Sequence, residues 1–111
     1  MAKGLLALDD ANFDGEVLQA GVPVTVEFGA TWCGPCRALA PVVRALATER
    51  TGQLEVGEVD VDESPSIAAR FKVRSVPTIL VFAGGKERAR HVGLTSRAKL
   101  AELVDAIAIE A

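Results

Sequence analysis

The sequence predicts an α/β protein in which one mixed five-stranded sheet is flanked by four helices, in the order β α β α β α β β α. Strand-like and helix-like segments alternate along most of the chain, which favours helices that cross over between parallel strands. The β-branched run at residues 24–28 is typical of a strand that is buried on both faces of such a sheet. Gly84 and Gly85 separate the last two strand-like segments and indicate a hairpin, which makes the sheet mixed.

The first strand and the first helix are predicted from the opening twenty residues. A short apolar run at residues 5–8 is the strand. Asp9 or Asp10 then caps a helix that continues to about residue 20. Three apolar residues of this helix recur at helical spacing: Phe13, Val17 and Leu18.

The second helix is expected to begin at Cys33 and to end at Gly52. Pro41 lies inside it and should produce a kink. Its apolar stripe consists of four residues: Leu39, Val42, Val43 and Leu46. Residues 54–61 then alternate apolar with polar or small side chains, so they are predicted to form the third strand.

A short helix follows, with Ser64 as the expected N-cap and Pro65 in the first turn, where the missing N–H of proline has no partner anyway. Its apolar side chains are those of Ile67, Ala68 and Phe71.

The chain ends with a hairpin and a final helix. Strands at 78–82 and 87–92 form the hairpin, and Arg88 and Arg90 are expected to share one face of an edge strand, which would protect that edge. Ser96 can cap the last helix. The inward-facing residues of that helix are Leu100, Leu103, Val104 and Ile107.

Composition narrows the possible functions. The chain has 111 residues, half of them hydrophobic, so we expect a single domain over residues 1–111 with its own core. A net charge of −3 argues against nucleic acid as the main partner. The longest apolar stretch, at 79–83, is far shorter than the roughly 20 residues that cross a membrane. The first residues do not resemble a secretory signal, and we therefore expect a cytoplasmic protein without a membrane partner. We also expect a monomer.

The only cysteines are Cys33 and Cys36, three residues apart. A small secreted protein would need more bridges at wider spacing. A structural zinc site needs four ligands, and the chain adds only the distant His91, which is more readily interpreted as an ordinary strand or surface residue. No metal site is therefore expected within one chain, although zinc or a cluster shared across a dimer stays open. The close pair points to redox chemistry.

The setting of the pair suggests a role for each sulfur. Cys33 follows a strand and opens a helix, where free N–H groups and the helix dipole favour the thiolate, which is the attacking species. Cys36 lies one turn later on the same helical face, so the two can close a small disulfide ring. We expect Cys33 to be the nucleophile, because it lies at the exposed end of the helix. Cys36 is expected one turn deeper, as the resolving thiol.

Several motifs resemble one family. The WCGPCR stretch at residues 32–37, the RSVPT stretch at 74–78 and the position of Pro41 resemble the thioredoxin family. Gly84-Gly85 matches the family's hairpin, and Gly93 matches the glycine that closes its substrate groove. The resemblance covers nearly the whole chain. It implies the thioredoxin fold and the activity of a general protein-disulfide reductase.

The resemblance also implies a substrate-binding surface. Pro77, preceded by Val76, should form a cis peptide bond that holds backbone groups against the substrate chain; the alternative is an ordinary trans proline at the start of a strand. Such a surface can accept many extended segments through backbone contacts. The implied rim around Cys33 comprises six residues: Trp32, Gly34, Pro35, Val76, Pro77 and Gly93.

The partners come from the same resemblance. It implies that the Cys33–Cys36 pair alternates between dithiol and redox-active disulfide, with no cofactor bound to this chain. Electrons would come from NADPH through a flavoprotein thioredoxin reductase. The substrates would be enzymes that finish a cycle oxidised, such as ribonucleotide, methionine sulfoxide or peroxide reductases.

Three residues depart from the family pattern. Glu27 stands where thioredoxins usually carry a buried Asp, and burial would raise the pKa of its carboxyl so that it could accept a proton from Cys36. The alternative is a carboxylate in a solvated crevice with no role. Glu58 stands where the family usually has Lys, and we expect it to face water. Gly29 replaces a large aromatic residue, which predicts a looser or wetter site.

Two other functions remain open from sequence. The first is a disulfide oxidant or isomerase of an exported compartment, which uses the same chemistry at the opposite redox poise. The second is a non-enzymatic subunit that uses the same fold only for binding.

Overall fold

The structure, a computed structural model, describes residues 5–110, and it describes side chains as far as Ile107. The five strands are β1 Leu5–Leu8, β2 Val24–Gly29, β3 Glu55–Asp60, β4 Thr78–Ala83 and β5 Lys86–Val92. The helical segments are a π-helical turn at Asp14–Leu18, α1 Gly34–Glu49, α2 Pro65–Arg70 and α3 Arg97–Glu110. The predicted arrangement of one mixed five-stranded sheet and four helices is confirmed.

The sheet is open, with the strand order β1-β3-β2-β4-β5. β1, β3 and β2 are parallel, whereas β4 runs antiparallel to both β2 and β5. The central strand β2 is therefore hydrogen-bonded on both sides, as its run of β-branched residues predicts.

The side chains of β2 point alternately to the two faces of the sheet, and each face is covered by its own layer of core. Val26 and Phe28 face the layer that contains the π-helical turn and α2. Thr25 and Glu27 point to the opposite face, because successive side chains of a strand alternate. That face is covered by α1 and α3 through an apolar cluster that includes Leu39, Val43, Leu100 and Val104. Glu27 is thus a carboxylate placed between the sheet and α1.

The first helix is shorter than predicted, because the chain forms a separate turn before it. The Oδ1 atom of Asp9 accepts hydrogen bonds from the backbone N–H groups of Ala11 and Asn12, both at 2.9 Å. Asp9 therefore caps this turn, and only five residues continue as a π-helical segment. Gly15 lies inside that segment and lowers its helix propensity.

The caps of the later helices differ. Ser64 occupies the N-cap position of α2, but its buried side chain makes no capping hydrogen bond, so that part of the prediction is wrong. Pro65 at the first helical position leaves one N–H fewer to be capped. Ser96 does cap α3: its Oγ accepts a hydrogen bond from the backbone N–H of Lys99 at 3.2 Å.

A register shift changes the expected face of the hairpin arginines. The pairing between β4 and β5 passes from Val81 with Ala89 to Phe82 with Glu87, so it skips Arg88. Such a bulge interrupts the alternation of side chains. Arg90 forms its ion pair with Glu87. Arg88 lies at the bulge, so the shared face that was expected for Arg88 and Arg90 is interrupted.

Helix α1 carries the cysteine motif directly after β2. The backbone N–H of Val61 donates to the carbonyl oxygen of Gly29 at 3.0 Å, which ties the ends of β3 and β2 together beside the start of α1. Pro35 lies in the first turn of α1, and Pro41 lies inside the helix. Within residues 5–110, none of the helices is long and apolar enough to span a membrane.

Candidate active site

Cys33 and Cys36 are joined by a disulfide at the start of α1, and their Cα atoms are 5.2 Å apart. Cys33 is the N-cap residue, with extended backbone angles (φ −90°, ψ 110°). Its Sγ accepts a hydrogen bond from the backbone N–H of Cys36 at 3.2 Å. A helix N-terminus thus directs a free N–H group at the sulfur of Cys33, which is the arrangement that stabilises a thiolate.

The exposure of the two cysteines does not distinguish them. Cys33 is 4% exposed and Cys36 is 6% exposed, so the expectation that Cys33 lies at a more exposed end is wrong. The reason is that Cys33 packs into a small apolar cluster with Ala30, Val61 and Val76. What distinguishes Cys33 is the N–H group at its sulfur.

The loop before β4 lies against the disulfide. The peptide bond between Val76 and Pro77 is cis, as the family resemblance implies. The carbonyl oxygen of Val76 lies 3.8 Å from the Sγ of Cys33. Gly93 donates its backbone N–H to the carbonyl oxygen of Pro77 at 2.9 Å, with a positive φ of 94° that favours glycine. The Val76 carbonyl thus lies near the sulfur of Cys33, and Gly93 is bonded to the next residue of the same loop.

The expected rim residues differ in how much surface they offer. Trp32 is 67% exposed, and Gly34 and Pro35 are also exposed. Val76 and Gly93 are half-buried, whereas Pro77 is buried. Pro77 therefore offers little surface of its own.

Trp32 has a fixed partner that the sequence did not suggest. Its indole Nε1–H donates to the Oδ2 of Asp62 at 2.7 Å, so the exposed ring is held by a charge-assisted hydrogen bond. Asp62 belongs to the acidic run that follows β3, where nothing distinguished it from its charged neighbours.

Glu27 is buried beneath the disulfide, with 5% of its surface exposed. It lines a cavity of about 220 Å³ together with Cys36 and Gly29. A Cβ on Gly29 would lie 3.5 Å from the Sγ of Cys36 and 3.9 Å from the Oε2 of Glu27. The small residue thus leaves open space between the carboxylate and the sulfur, as expected from the loss of an aromatic side chain.

The pKa of Glu27 is raised from its usual 4.5 to about 7, and burial is the largest cause. The negative charge of Glu58 adds to this rise, and the positive charge of Arg44 opposes it. The expected raised pKa is therefore supported. A carboxyl group with a pKa near neutrality can both accept and release a proton under ordinary conditions.

Glu58 is half-buried on the same face of the sheet as Glu27 and does not simply face water. Its Oε2 and Oε1 accept hydrogen bonds from the Nε and Nη2 of Arg44, at 3.1 and 3.2 Å. Arg44 lies outside the predicted apolar stripe of its helix. Arg44 follows Ala40 by four residues and Cys36 by eight, a spacing that could have placed it over the same cavity, which all three residues line.

His91 does not join the cysteines. One of its ring nitrogens, Nε2, lies 2.9 Å from the carbonyl oxygen of Leu94. Among the residues that the structure describes, no three Cys, His, Asp or Glu side chains are grouped so that they could hold a metal ion.

Comparisons with known proteins agree with this geometry. The family model described as Thioredoxin matches residues 4–106. The M-type chloroplastic thioredoxin of Zea mays is 40% identical over 101 residues, which cover 91% of this chain and 60% of the maize protein. A thioredoxin of Staphylococcus haemolyticus is 45% identical over 101 residues, 91% of this chain and 95% of that protein. A bifunctional thioredoxin reductase/thioredoxin of Mycobacterium leprae is 44% identical over 95 residues, 86% of this chain and 21% of that protein.

The match thus extends through the cysteine motif, the cis-proline loop and most of the last helix, while the chain spans about 60% of the length of the maize relative. On the family match and on the identity to relatives covered almost end to end, this chain belongs to the thioredoxin family.

Proposed function

We propose that this chain is a general protein-disulfide reductase that works through Cys33 and Cys36. The observation that carries the proposal is the disulfide at the N-terminus of α1, with a backbone N–H group at the sulfur of Cys33. Membership of the thioredoxin family supports it, since the matching relatives are named thioredoxins.

In the first step, the thiolate of Cys33 attacks one sulfur of a substrate disulfide. A mixed disulfide forms, the substrate's own S–S bond breaks, and its second sulfur leaves as a thiolate that takes a proton from solvent. The N–H of Cys36 favours this attack because it stabilises the charged form of Cys33 beforehand.

In the second step, Cys36 loses its proton to Glu27 and attacks the Sγ of Cys33. The mixed disulfide breaks, the substrate sulfur that Cys33 had attacked leaves as a thiolate and takes a proton from solvent, and the Cys33–Cys36 disulfide forms. Two electrons have then passed from this chain to the substrate. Glu27 is suited to the proton transfer because its carboxyl faces the same cavity as Cys36 and has a pKa of about 7.

Substrate binding is proposed to use the surface around Cys33. Exposed Trp32, Gly34 and Pro35 would contact an extended segment of the substrate, with Val76 and Gly93 opposite them. Pro77 would act from beneath by fixing the Val76 carbonyl beside the reacting sulfur. Backbone contacts of this kind suit broad rather than sequence-specific recognition.

The electrons would return from NADPH through a thioredoxin reductase, with no cofactor held by this chain. The mycobacterial relative, whose name joins a thioredoxin reductase to a thioredoxin, supports this partner. We propose a single-domain monomer that acts in the cytoplasm, since a reductant of this type needs a compartment that keeps thiols reduced. Chloroplastic relatives make another reducing compartment the competing outcome of a localisation experiment.

The decisive experiment is the reduction of insulin by dithiothreitol, with the wild-type chain compared with Cys33→Ser. The wild type should accelerate insulin precipitation strongly, and Cys33→Ser should give the rate of dithiothreitol alone. Equal rates for the two proteins would overturn the enzymatic proposal. A redox titration then separates reductant from oxidant, because a potential near the roughly −120 mV level of strong exported oxidants, rather than near about −270 mV, would contradict a reductant.

A further inference from the structure

Two glutamate residues are neighbours on adjacent strands of the sheet, on the face that α1 covers. In the parallel pairing of β2 with β3, Glu27 is the direct neighbour of Glu58, so both side chains project from the same face of the sheet. Neighbouring strands are only about 4.8 Å apart, and like charges at such positions destabilise a sheet. The pair therefore needs a compensating positive charge.

Arg44 supplies that charge from the helix above. Its guanidinium binds both oxygens of Glu58, at 3.1 and 3.2 Å, in a two-point arrangement that fixes the direction of the carboxylate. Arg44 and Glu58 line the cavity that Glu27 and Cys36 also line. The ion pair is partly exposed, whereas Glu27 is buried, so the pair stands on the solvent side of Glu27.

We propose that Arg44 is a positioning residue for the release of substrate: by binding both oxygens of Glu58, it holds this second carboxylate at the solvent side of the shared cavity and keeps it from turning towards the carboxyl group of Glu27. The inference rests on the proposed function, in which Glu27 accepts the proton of Cys36. With Glu58 held away, Glu27 can ionise near neutral pH. With Glu58 released, a nearby second charge would keep Glu27 protonated and unable to accept a proton.

The other groups around Glu27 are bonded to other partners or are apolar. On α1, Cys36 is in the disulfide, and Arg37 donates to the carbonyl oxygen of Thr31 at 2.8 Å. On β3, the Oδ1 of Asp60 accepts from the backbone N–H groups of the next loop, at 2.8 and 3.3 Å. On β4, the neighbour of Glu27 is the apolar Ile79. Burial contributes most to the raised pKa of Glu27, and Glu58 and Arg44 are the charged groups that modify it further.

The experiment is a ¹³C NMR titration of the Glu27 carboxyl carbon in the oxidised protein, which needs no substrate or reductase. The four proteins are wild type, Arg44→Gln, Glu58→Gln and the double variant. Arg44→Gln should raise the titration midpoint by at least about half a pH unit. When Glu58 is already replaced by Gln, Arg44→Gln should raise the Glu27 midpoint by less than half as much, because there is no second carboxylate to release. An equal shift in both backgrounds would show that Arg44 acts only through its own charge and would overturn the proposal.

Arg97→Gln is the matched control. Arg97 binds both oxygens of Glu49 at 2.6 and 2.5 Å in a similarly exposed ion pair at the far end of α1. Its removal should leave the Glu27 midpoint unchanged, and a shift as large as that of Arg44→Gln would count against the inference.

Single-turnover release of a mixed disulfide, followed by the fluorescence of Trp32, separates this inference from the proposed function. If Arg44→Gln moves the NMR midpoint and the pH profile of release together, the inference and the proposed function are both supported. If wild-type release follows the Glu27 midpoint but Arg44→Gln moves neither, the inference fails and the proposed function survives. If the NMR midpoint moves and release does not follow it, the role of Glu27 fails, and with it the role of Arg44 in release.

Discussion

Glu27 and Cys36 face one cavity although they come from different elements, a central strand and the first turn of the following helix. A carboxylic acid in this position costs little while it is neutral and much more once it is charged. The stability of the oxidised protein should therefore depend on pH through Glu27.

The first prediction concerns that dependence. The pKa of Glu27 is raised in the folded state from 4.5 to about 7, so its contribution to stability is fully present below pH 4.5 and is lost as the pH rises through 7. The loss should total about 3 kcal/mol, because a tenfold change in a proton-binding constant corresponds to about 1.4 kcal/mol. In urea unfolding of the oxidised protein between about pH 4.5 and 8, Glu27→Gln should lack this decline. Glu102→Gln, which changes an exposed carboxylate on α3, should retain it. A wild-type protein whose stability is constant over this range would show that the pKa of Glu27 is not raised.

The second prediction concerns the rate at which reduced substrate is released. If Glu27 accepts the proton of Cys36, release should accelerate as the pH rises through about 7, where the carboxyl ionises. Glu27→Gln should slow the step by about 10²-fold, the lower end of general-base contributions, and should remove this midpoint from the profile. Stopped-flow measurement of the isolated step checks both points, and an unchanged profile in the variant would exclude the proton transfer.

The strands of the sheet can be predicted from the sequence because each has a local pattern of apolar and β-branched residues. β1 was predicted with the bounds that it has, and the others within one residue at each end, since β-branched runs and the Gly84-Gly85 turn are local features. The first helix was less predictable. Its start is decided by a competition between a helix and the side-chain hydrogen bonds of Asp9, which sequence periodicity does not express.

In the candidate site, too, some features follow from short sequence motifs and others only from the three-dimensional arrangement. The cysteine pair and the cis bond at Pro77 follow from contiguous motifs, and both were anticipated. The pairing of Arg44 with Glu58 and of Trp32 with Asp62 joins residues far apart in the chain, and it depends on how a helix or loop lies over β3. Such contacts require the three-dimensional arrangement, because an exposed charge in a sequence has many potential partners.

A third prediction concerns Arg90, which links β5 to the end of α2. Its guanidinium donates to the carbonyl oxygens of Phe71 and Lys72, at 2.5 and 3.3 Å, and also binds Glu87. Because these carbonyls follow the last turn of α2, Arg90→Met should destabilise the protein by about 1.5–3 kcal/mol. Glu87→Gln removes only the partly exposed ion pair and should cost less than about 1 kcal/mol. Similar losses for both variants in urea unfolding would assign the effect to the ion pair instead.

A fourth prediction uses the space beside Gly29. A Cβ there would meet the Cβ and Sγ of Cys36 at 3.5 Å, an ordinary van der Waals distance. Gly29→Ala should therefore stabilise the oxidised protein, by about 0.4–1 kcal/mol from the less flexible unfolded chain and further through its new contacts. Gly21→Ala is the control, since in the described part of the chain no atom beyond its two sequence neighbours lies within 4 Å of the added Cβ. Thermal unfolding should show a larger gain for Gly29→Ala, and a loss would mean that the methyl group does not fit.

The last prediction compares two buried threonines whose hydroxyl groups differ in hydrogen bonding. Among the residues that the structure describes, the hydroxyl of Thr25 has no hydrogen-bond partner, whereas the hydroxyl of Thr78 donates to the carbonyl oxygen of Ser75 at 2.7 Å. Both residues are only 1% exposed, and valine has nearly the same shape as threonine. Thr25→Val should stabilise the protein by about 1 kcal/mol or more, because it removes a buried polar group that gains nothing in the folded state.

Thr78→Val should have the opposite sign and cost about 1–3 kcal/mol, because it leaves the Ser75 carbonyl without its donor in the loop that leads to cis-Pro77. Parallel urea titrations of the two variants test the pair directly. Since the volume change is the same in both, a difference in sign can come only from the hydrogen bond. If Thr25→Val were as destabilising as Thr78→Val, the Thr25 hydroxyl would have to be bonded in solution.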